Sequence, residues 1–432
     1  MQRRTTRPRL VQAMMDALSL PDLRKRILFT LGILAVFRFL TNVPLPGVDP
    51  VALANFFADA PLLFGMLDLF SGGAIQGFSI VAAGIFPYIT SSIIMQLLTP
   101  VVPRLQALAQ EGELGRQRIN RITHMLTVPL AGIQGYGLLT ILRTQGVTLP
   151  LGPLDVAGIV LTMIAGTMLL VWLGELITER GIGNGISIII FGGIVAGLPG
   201  IVGQGILVAM GGEPGGLIAF VILSLATLVL IVVFVEAHRR IPVQYARSTF
   251  RSGRMYRQSG STYIPLRVNT AGMIPIIFAI ALMQLPGTIA QFVGSDSGFW
   301  RTISEMFSAT NPIYQVLYFG LVIGFAFFYT MVIFEQMNLP QTLQQQGGFI
   351  PGVRPGKATA DYLNRVIRRI TFGGALFLAL VAIMPFIAQQ ITGVRDLLLQ
   401  STAMLIAVGV SLDTMKQLEA QLTMRRYEGF LK

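Results

Sequence analysis

Residues 62–102 read LLFGMLDLFSGGAIQGFSIVAAGIFPYITSSIIMQLLTPVV and contain two apolar segments of unequal length. The second, 78–102, is long enough to cross a bilayer as a helix, which takes about 20 apolar residues. The first, Leu62–Ala74, is too short to cross, carries Asp68 and closes with a glycine pair. We expect it to enter the membrane from the outer face and return there, since counting it as a crossing would reverse every later loop. A helix lying on the outer membrane surface is the alternative that composition leaves open.

The rest of the chain repeats the pattern of the longer segment. Its 432 residues are 53% hydrophobic and only 12% charged, with a mean hydropathy of +0.68, whereas soluble domains carry about 25% charged residues. We predict an all-α polytopic membrane protein with ten transmembrane helices, which leaves no room for a large soluble catalytic domain. The ten predicted crossings are 25–43, 78–102, 122–142, 155–177, 186–208, 215–235, 270–293, 313–334, 370–391 and 397–415.

The positions of the cations test this arrangement, because Lys and Arg accumulate on the cytoplasmic side of membrane proteins. The net charge is +12, and nearly all Lys and Arg fall on one side of the ten crossings. The exceptions are Arg38, inside the first crossing, and three residues on the other side, Arg143, Arg301 and Arg395. Both termini, segment 1–24 and tail 416–432, are therefore predicted to be cytoplasmic. So are two basic loops, 236–268 and 335–369.

Several kinds of chemistry are absent from the sequence. There is no Cys, and the two histidines, His124 and His238, lie far apart in the chain, so we expect no metal site, no cofactor and no enzymatic activity. Only Arg38 and Glu175 are ionisable residues within crossings, which gives little sign of ion coupling. A re-entrant segment needs a surrounding cavity. A gated channel and a secondary transporter with inverted repeats fit these residues about equally well.

Long motifs along nearly the whole chain resemble the SecY family, the central subunit of the bacterial-type protein translocase channel. The motifs are VPLPGVD at 43–49, FSGGA at 70–74, GIFPYITSSIIMQLL at 84–98, TERGIGNGISIIIF at 178–191, PLRVN at 265–269, GFIPGVRPG at 348–356 and RYEGFLK at 426–432. The resemblance implies a passive channel for unfolded secretory chains in the inner (plasma) membrane. It also implies two pseudo-symmetric halves, 25–208 and 215–415, around a pore.

The resemblance assigns three sets of residues to the pore. The re-entrant segment becomes a plug helix that closes the pore, and its residues are Leu62, Phe64, Met66, Leu67, Asp68, Phe70, Ser71, Gly72 and Gly73. A ring of apolar side chains that seals the pore is implied at Ile85, Ile89, Ile186, Ile190, Ile277 and Ile406. A lateral gate toward lipid is implied between crossings 2 and 7, with polar candidates Ser91, Ser92, Gln96 and Gln284. From the residues alone, ordinary helix packing explains the isoleucine pairs, and bonding between helices explains the polar residues.

The resemblance also gives the basic loops a role. Members of the family dock a ribosome or a SecA-type motor ATPase on these loops, and they assemble with SecE-type and SecG-type small membrane subunits. Further partners implied are the nascent or precursor polypeptide and membrane lipid. The implied docking residues are Arg239, Arg240, Arg247, Arg251, Arg254, Arg257 and Arg354. Charge that merely sets topology is the simpler explanation for these cations, and both can hold.

Overall fold

The structure is a computed structural model that describes residues 20–59, 68, 71–210, 214–251, 254–272, 274–293, 298–307, 311–392 and 400–430. Most of them lie in helices. The helices are α1 Pro21–Thr41, α2 Pro50–Asp59, α3 Phe86–Leu98, α4 Pro103–Gln110, α5 Glu113–Thr144, α6 Pro153–Arg180, α7 Gly185–Met210, α8 Pro214–Glu236, α9 Ile274–Val293, α10 Gly298–Met306, α11 Pro312–Met337, α12 Leu339–Gln345, α13 Lys357–Thr392 and α14 Gln400–Phe430. The strands are β1 His238–Arg251, β2 Arg254–Arg267 and β3 Gly348–Phe349.

Each predicted crossing overlaps one of these helices, in the order α1, α3, α5, α6, α7, α8, α9, α11, α13 and α14. The second crossing, predicted over 78–102, is helical only over Phe86–Leu98, and residues 80–85 before it form turns. Within the described residues, four segments are long and apolar enough to span a membrane: Glu113–Thr144, Pro153–Arg180, Pro312–Gln345 and Lys357–Met384. The pair α3 and α4, bent by 97°, adds a fifth if it is taken as one span. The structure is mostly helical with several apolar helices, so the predicted class, an all-α polytopic membrane protein, is confirmed.

The chain forms two compact units. The first comprises Met1–Ile218, Gly287–Ser304 and Gly393–Lys432, and the second comprises Ala219–Pro286 and Glu305–Thr392. Helix α14 thus belongs with α1 to α7, and Leu418 on α14 packs with Leu23 and Ile182. The predicted halves, 25–208 and 215–415, follow the order of the chain and stay a prediction.

Glycines set the close packing of the first unit. A Cβ placed on Gly166 of α6 would collide with the carbonyl oxygen of Ile80, and one on Gly185 of α7 would collide with that of Gly174. Backbone therefore lies directly against backbone at both positions, as small residues allow between membrane helices. Residue Ile80 belongs to the segment that leads into α3, so α6 fixes that segment in place.

The second unit contains a feature that the sequence prediction missed. Strands β1 and β2 form an antiparallel hairpin whose register runs from His238↔Arg267 to Arg251↔Arg254. Strand β3 pairs with the other edge of β1 through Gln244↔Phe349 and Tyr245↔Gly348, which gives the order β2-β1-β3. The two basic loops predicted as separate segments are therefore joined in one sheet, which we call the basic sheet.

Candidate functional site

The plug segment is described only at its end. Residues 62–67, 69 and 70, among them Leu62, Phe64, Met66, Leu67 and Phe70, lie outside the described part of the chain. The end is a tight turn at Gly72 and Gly73, with φ of 73° and 83°. Only glycine adopts such angles without strain. We call this glycine pair the plug hinge.

Packing at the hinge also requires glycine. A Cβ on Gly72 would lie 3.0 Å from the Gly193 Cα of α7 and 3.0 Å from the Phe37 Cζ of α1. The hinge backbone is thus held between two helices of the first unit. Beyond the hinge, Leu45 N–H donates to Phe78 O at 2.8 Å, and Ile80 N–H donates to Val43 O at 3.0 Å. These bonds fasten the segment that follows the hinge to the segment that follows α1.

The carboxylate of Asp68 organises the same turn. Its Oδ1 accepts the backbone N–H groups of Ile75 at 3.0 Å and Gln76 at 2.8 Å. Burial raises the pKa of the Asp68 carboxyl above its usual value, and the hydrogen bonds it accepts act in the opposite direction. The positive charge of Arg38 also acts to lower that pKa. Asp68 is thus the acceptor that closes the turn around the hinge.

Arg38, the one cation predicted inside a crossing, contacts the hinge. Its Nη1 donates to the carbonyl oxygen of Gly72 at 2.6 Å. Arg38 lies in the last turn of α1, where a cation also interacts favourably with the helix dipole. Sequence reasoning identifies Arg38 only as an ionisable residue within a crossing, because nothing in the sequence shows which carbonyl it reaches.

Three of the isoleucines predicted for the pore ring lie together. Ile85, Ile89 and Ile190 line a small cavity with Ser71 and Ile75 from the end of the plug. Ile85 and Ile89 are one helical turn apart, with Ile89 N–H donating to Ile85 O at 3.1 Å. The other lining residues are Ala83, Gly84 and Phe86. The cavity is therefore lined mainly by branched and aromatic apolar side chains next to the plug hinge.

The other three predicted ring residues are placed differently. Ile186 packs against α6, where a Cβ on Gly174 would lie 2.9 Å from its Cγ1. Ile406 of α14 is fully buried in the first unit. Ile277 is buried in the second unit. The geometry thus groups Ile85, Ile89 and Ile190, and the ring of six stays a prediction.

The polar residues predicted for the lateral gate make bonds within the first unit. Ser91 is fully buried, and its Oγ donates to the Thr123 carbonyl of α5 at 2.6 Å. Gln96 Nε2 donates to Ser92 Oγ at 3.3 Å along α3. The side chain of Gln284 lies outside the described residues. Ser91 therefore ties α3 to α5, which is the bonding role that the residues alone suggested.

The basic sheet stands on an apolar core of its own. This core contains two residues of β1, Ile241 and Val243. They are buried together with Leu343 of α12, Leu363 of α13 and Ile350, which follows β3. Residues from both basic loops contribute, so the position of one loop depends on the other. Each strand of the hairpin has 14 residues, which at about 3.3 Å per residue makes a ribbon roughly 45 Å long.

The predicted docking arginines are distributed along this sheet. Arg239 and Arg240 lie exposed at its base, and the guanidinium carbon of Arg240 is 5.0 Å from the ring centroid of Tyr263. Arg354 is exposed in the turn after β3, where its carbonyl accepts the Thr359 hydroxyl at 2.9 Å. The remaining four lie on the hairpin with side chains outside the described residues: Arg247, Arg251, Arg254 and Arg257.

One polar cluster was not predicted. Glu175 of α6 lies 3.1 Å from His124 Nε2 of α5 and accepts a hydrogen bond from Asn120 Nδ2 at 3.0 Å. The ring of Tyr88 on α3 lies 5.7 Å from that of His124. The second ionisable residue within a crossing is thus matched by polar partners between helices, as is usual for such residues.

Comparisons with known proteins agree with these features. The sequence model of the SecY family matches residues 79–415. A protein translocase subunit SecY of Streptomyces galbus is 45% identical over 448 residues, which cover 98% of this chain and all of that protein.

Three solved structures are similar over 92% of each chain at 18% identity. They are a protein-conducting channel with a TM-score of 0.65, a SecY channel whose plug domain stabilises the closed state with 0.63, and Sec61 in a canine ribosome-channel complex with 0.63. At this identity they show a shared fold.

Proposed function

This chain belongs to the SecY family and forms the pore of a protein-translocation channel. We propose that the apolar side chains lining the cavity beside the plug hinge seal this pore when it is closed. The observation that carries this proposal is the cavity lined by Ile85, Ile89 and Ile190 together with Ser71 and Ile75. It joins two elements that the family resemblance assigned separately, the pore ring and the plug. The chain is not an enzyme, so the energy for transport comes from a partner.

An apolar seal suits a channel that passes many sequences. Branched side chains close around an extended chain without hydrogen bonding to it, and a dry constriction excludes ions by dewetting. The seal in this proposal comprises Ile85, Ile89, Ile186, Ile190, Ile277 and Ile406, with the plug as a second barrier. A segment of about 20 apolar residues then leaves sideways, since it prefers lipid to a wet pore.

The seal is tested by a matched pair on α7. Ile190 and Ile194 lie one turn apart and are both buried, at 4% and 2% exposure, but only Ile190 lines the cavity. We expect Ile190→Ser to raise the resting ion conductance of planar bilayers, and Ile194→Ser to leave it unchanged. Equal conductance from the two variants, with normal assembly of both, would remove the seal from the proposal.

The lateral gate is proposed between α3 and α9, with Ser91, Ser92, Gln96 and Gln284 on the two helices. A disulfide between cysteines introduced on α3 and α9 should stop the export of a precursor protein into vesicles. Reduction of that disulfide should restore export, and a disulfide between α3 and α5, which are already tied by Ser91, serves as control. Export through the locked pair of helices would contradict the gate.

The basic sheet is proposed as the docking surface for a ribosome or a SecA-type motor ATPase. Its exposed arginines match phosphate groups of RNA or carboxylates of a protein. The SecE-type and SecG-type subunits, the precursor polypeptide and lipid complete the proposed set of partners. The charge asymmetry supports an inner-membrane orientation with both termini in the cytoplasm.

Reconstitution tests the function as a whole. Vesicles that contain this chain with its small subunits should import a precursor protein when motor and ATP are supplied. Empty vesicles and vesicles with the chain but no motor are the controls. Accumulation of a small solute down an ion gradient, without protein import, would favour a secondary transporter instead.

A further inference from the structure

We propose that Thr30 of α1 is a positioning residue for the pore seal: its hydroxyl holds the turn before α7 and so fixes where Ile190 lies. The inference rests on the proposed seal and adds to it a residue outside the cavity. It starts from a buried contact between segments far apart in the chain. The Ile182 N–H donates to Thr30 Oγ1 at 3.2 Å, although the two residues are 152 positions apart.

The turn that Thr30 holds joins α6 to α7 and consists of residues 181–184. It is enclosed by helices of the first unit. The Ile182 side chain is buried and packs with Leu23 of α1 and Leu418 of α14. The turn is therefore anchored against α1 and α14 as well as by the two helices that it joins.

The Thr30 hydroxyl accepts this N–H because its own proton is used within α1. Thr30 Oγ1 donates to the Arg26 carbonyl at 2.9 Å, one turn earlier in the helix, which leaves a lone pair of the oxygen for the turn. Thr30 is 8% exposed and Ile182 is 5% exposed, so the contact is shielded from water. The Ile182 N–H therefore depends on this acceptor, since a buried donor without a partner is costly.

Two further side chains satisfy N–H groups at the start of α7, and both lie close to it in sequence. Thr178 Oγ1 accepts the Gly185 N–H at 2.9 Å, and Asn184 Oδ1 accepts the Ile186 N–H at 3.2 Å. The first N–H groups of a helix lack partners within the helix, so such acceptors stabilise its start. These two residues shape the turn locally, whereas Thr30 fixes its place against α1.

The face of α1 that carries Thr30 continues along α7 toward the plug hinge. Leu34 lies one turn after Thr30, and a Cβ on Gly192 of α7 would lie 2.7 Å from the Leu34 Cδ2. Phe37 follows, and a Cβ on Gly72 would lie 3.0 Å from its Cζ. Thr30, Leu34 and Phe37 are spaced i, i+4 and i+7, so they share one face of the helix. Helix α1 thus contacts both α7 and the end of the plug.

Ile190 follows the turn closely enough to depend on its position. It is the sixth residue of α7, about 7.5 Å along the helix axis from Gly185. Slippage by one residue rotates a helix by about 100° and shifts it by about 1.5 Å. Such a change would take the Ile190 side chain out of the cavity that it lines. The anchored turn therefore sets the place of Ile190 in the seal.

The position of α7 is measured with one introduced thiol, because the chain contains no cysteine. The test records how fast a membrane-impermeant methanethiosulfonate modifies Ile190→Cys in the resting complex, assembled with cysteine-free small subunits. Thr30→Val keeps the branched shape of the side chain and removes the acceptor. We expect Thr30→Val to raise the rate of modification about tenfold, the effect of one lost buried hydrogen bond. Thr30→Ser keeps the hydroxyl and should restore the original rate.

Thr127→Val is the matched control. Thr127 of α5 is also buried, and its hydroxyl donates to the Thr123 carbonyl at 2.8 Å within its own helix. The rate of modification should not change in that variant. An equal rise in Thr30→Val and Thr127→Val, or no rise in either, would overturn the positioning role. Loss of assembly in Thr30→Val alone would also overturn it, since Thr30 would then be required for folding.

Conductance separates a failure of this inference from a failure of the proposed seal. With isoleucine at position 190, Thr30→Val should raise the resting ion conductance of planar bilayers, as Ile190→Ser does. Faster modification in Thr30→Val, with unchanged conductance in both Thr30→Val and Ile190→Ser, would contradict the seal and support the positioning of α7. Raised conductance in Ile190→Ser, with unchanged modification in Thr30→Val, would contradict the positioning role alone.

Discussion

Beside the plug hinge, Asp68 and Arg38 each bind a specific partner within the chain, whereas on the basic sheet Arg239, Arg240 and Arg354 are exposed to solvent. Asp68 accepts two backbone N–H groups and Arg38 donates to one carbonyl, all beside an apolar cavity. In the basic sheet the buried residues are apolar, and the cations are exposed on its surface. The charged groups at the hinge are bound within the chain, whereas the exposed arginines of the sheet are the ones that we propose to bind a partner.

The two regions also differ in what makes them rigid. In the first unit, glycines let backbone lie on backbone, so a single added carbon is felt directly. In the basic sheet, rigidity comes from side chains of two loops that share one small core. The first region should therefore be most sensitive to added volume, and the second to loss of apolar contacts.

The largest effect is expected from Gly166→Val on α6. The valine side chain would overlap the carbonyl oxygen of Ile80. Relief of this overlap requires the backbone segment before α3 to move. We expect loss of the assembled channel, measured as the folded fraction in detergent by size-exclusion chromatography. Gly158 lies on the same helix and is exposed, and a Cβ added to it would meet no atom within 4 Å, so Gly158→Val should assemble normally. Normal assembly of both variants would show that the close contact between Gly166 and Ile80 does not contribute to the stability of the channel.

The second effect concerns the core of the basic sheet. Val243 is fully buried, and Val243→Asp places a charge among apolar side chains, at a cost of several kcal/mol. We expect the sheet to open while the membrane helices persist, seen as new protease cleavage confined to 238–267 and 339–356. Thr262, its cross-strand partner, is exposed, and Thr262→Asp should leave the sheet protected. Cleavage that also spreads into the membrane helices would contradict an independent core.

The third effect is on binding alone. Arg354→Glu reverses an exposed charge in the turn after β3, and we expect the affinity for a motor or ribosome to fall about tenfold, as for the loss of one charged contact. The thermal stability of the channel should not change. Lys357→Glu makes the same change of charge on an exposed residue three positions later. If Lys357→Glu weakens binding as much as Arg354→Glu, net charge rather than the position of Arg354 decides docking.

Sequence reasoning predicted the helices better than the loops, and the reason is physical. Each crossing is visible in the sequence as a long apolar run, because a helix that spans the lipid bilayer needs about 20 apolar residues. The basic hairpin gives a weaker signal, although Ile241 and Val243 lie two positions apart, the spacing of residues on one face of a strand. The cations of these loops indicate membrane topology, and the charge count alone does not predict strands.

The candidate site divides in the same way. Ile85 and Ile89 follow from a motif at helical spacing, because neighbours on one helix are fixed by local geometry. Their meeting with Ile190 and Ser71, and the bond from Arg38 to Gly72, depend on how segments far apart in sequence pack together. The residues alone left a channel and a transporter as equals. Family membership decided between them.

The smallest effect is expected where the basic sheet resembles the hinge, at a cation with a defined partner. Arg240 lies 5.0 Å from the Tyr263 ring centroid, a cation–π contact worth about 0.5–1 kcal/mol at an exposed site. Tyr263 pairs with Pro242 across the strands, so Arg240 braces the base of the hairpin diagonally. Arg240→Gln should raise hydrogen exchange about two- to fivefold at the amides of 239–245, by that loss of stability. Arg239→Gln removes an equal charge beside it, so equal exchange in the two variants would reduce both arginines to surface charge, whereas a difference would show that one cation of the sheet is positioned as closely as Arg38.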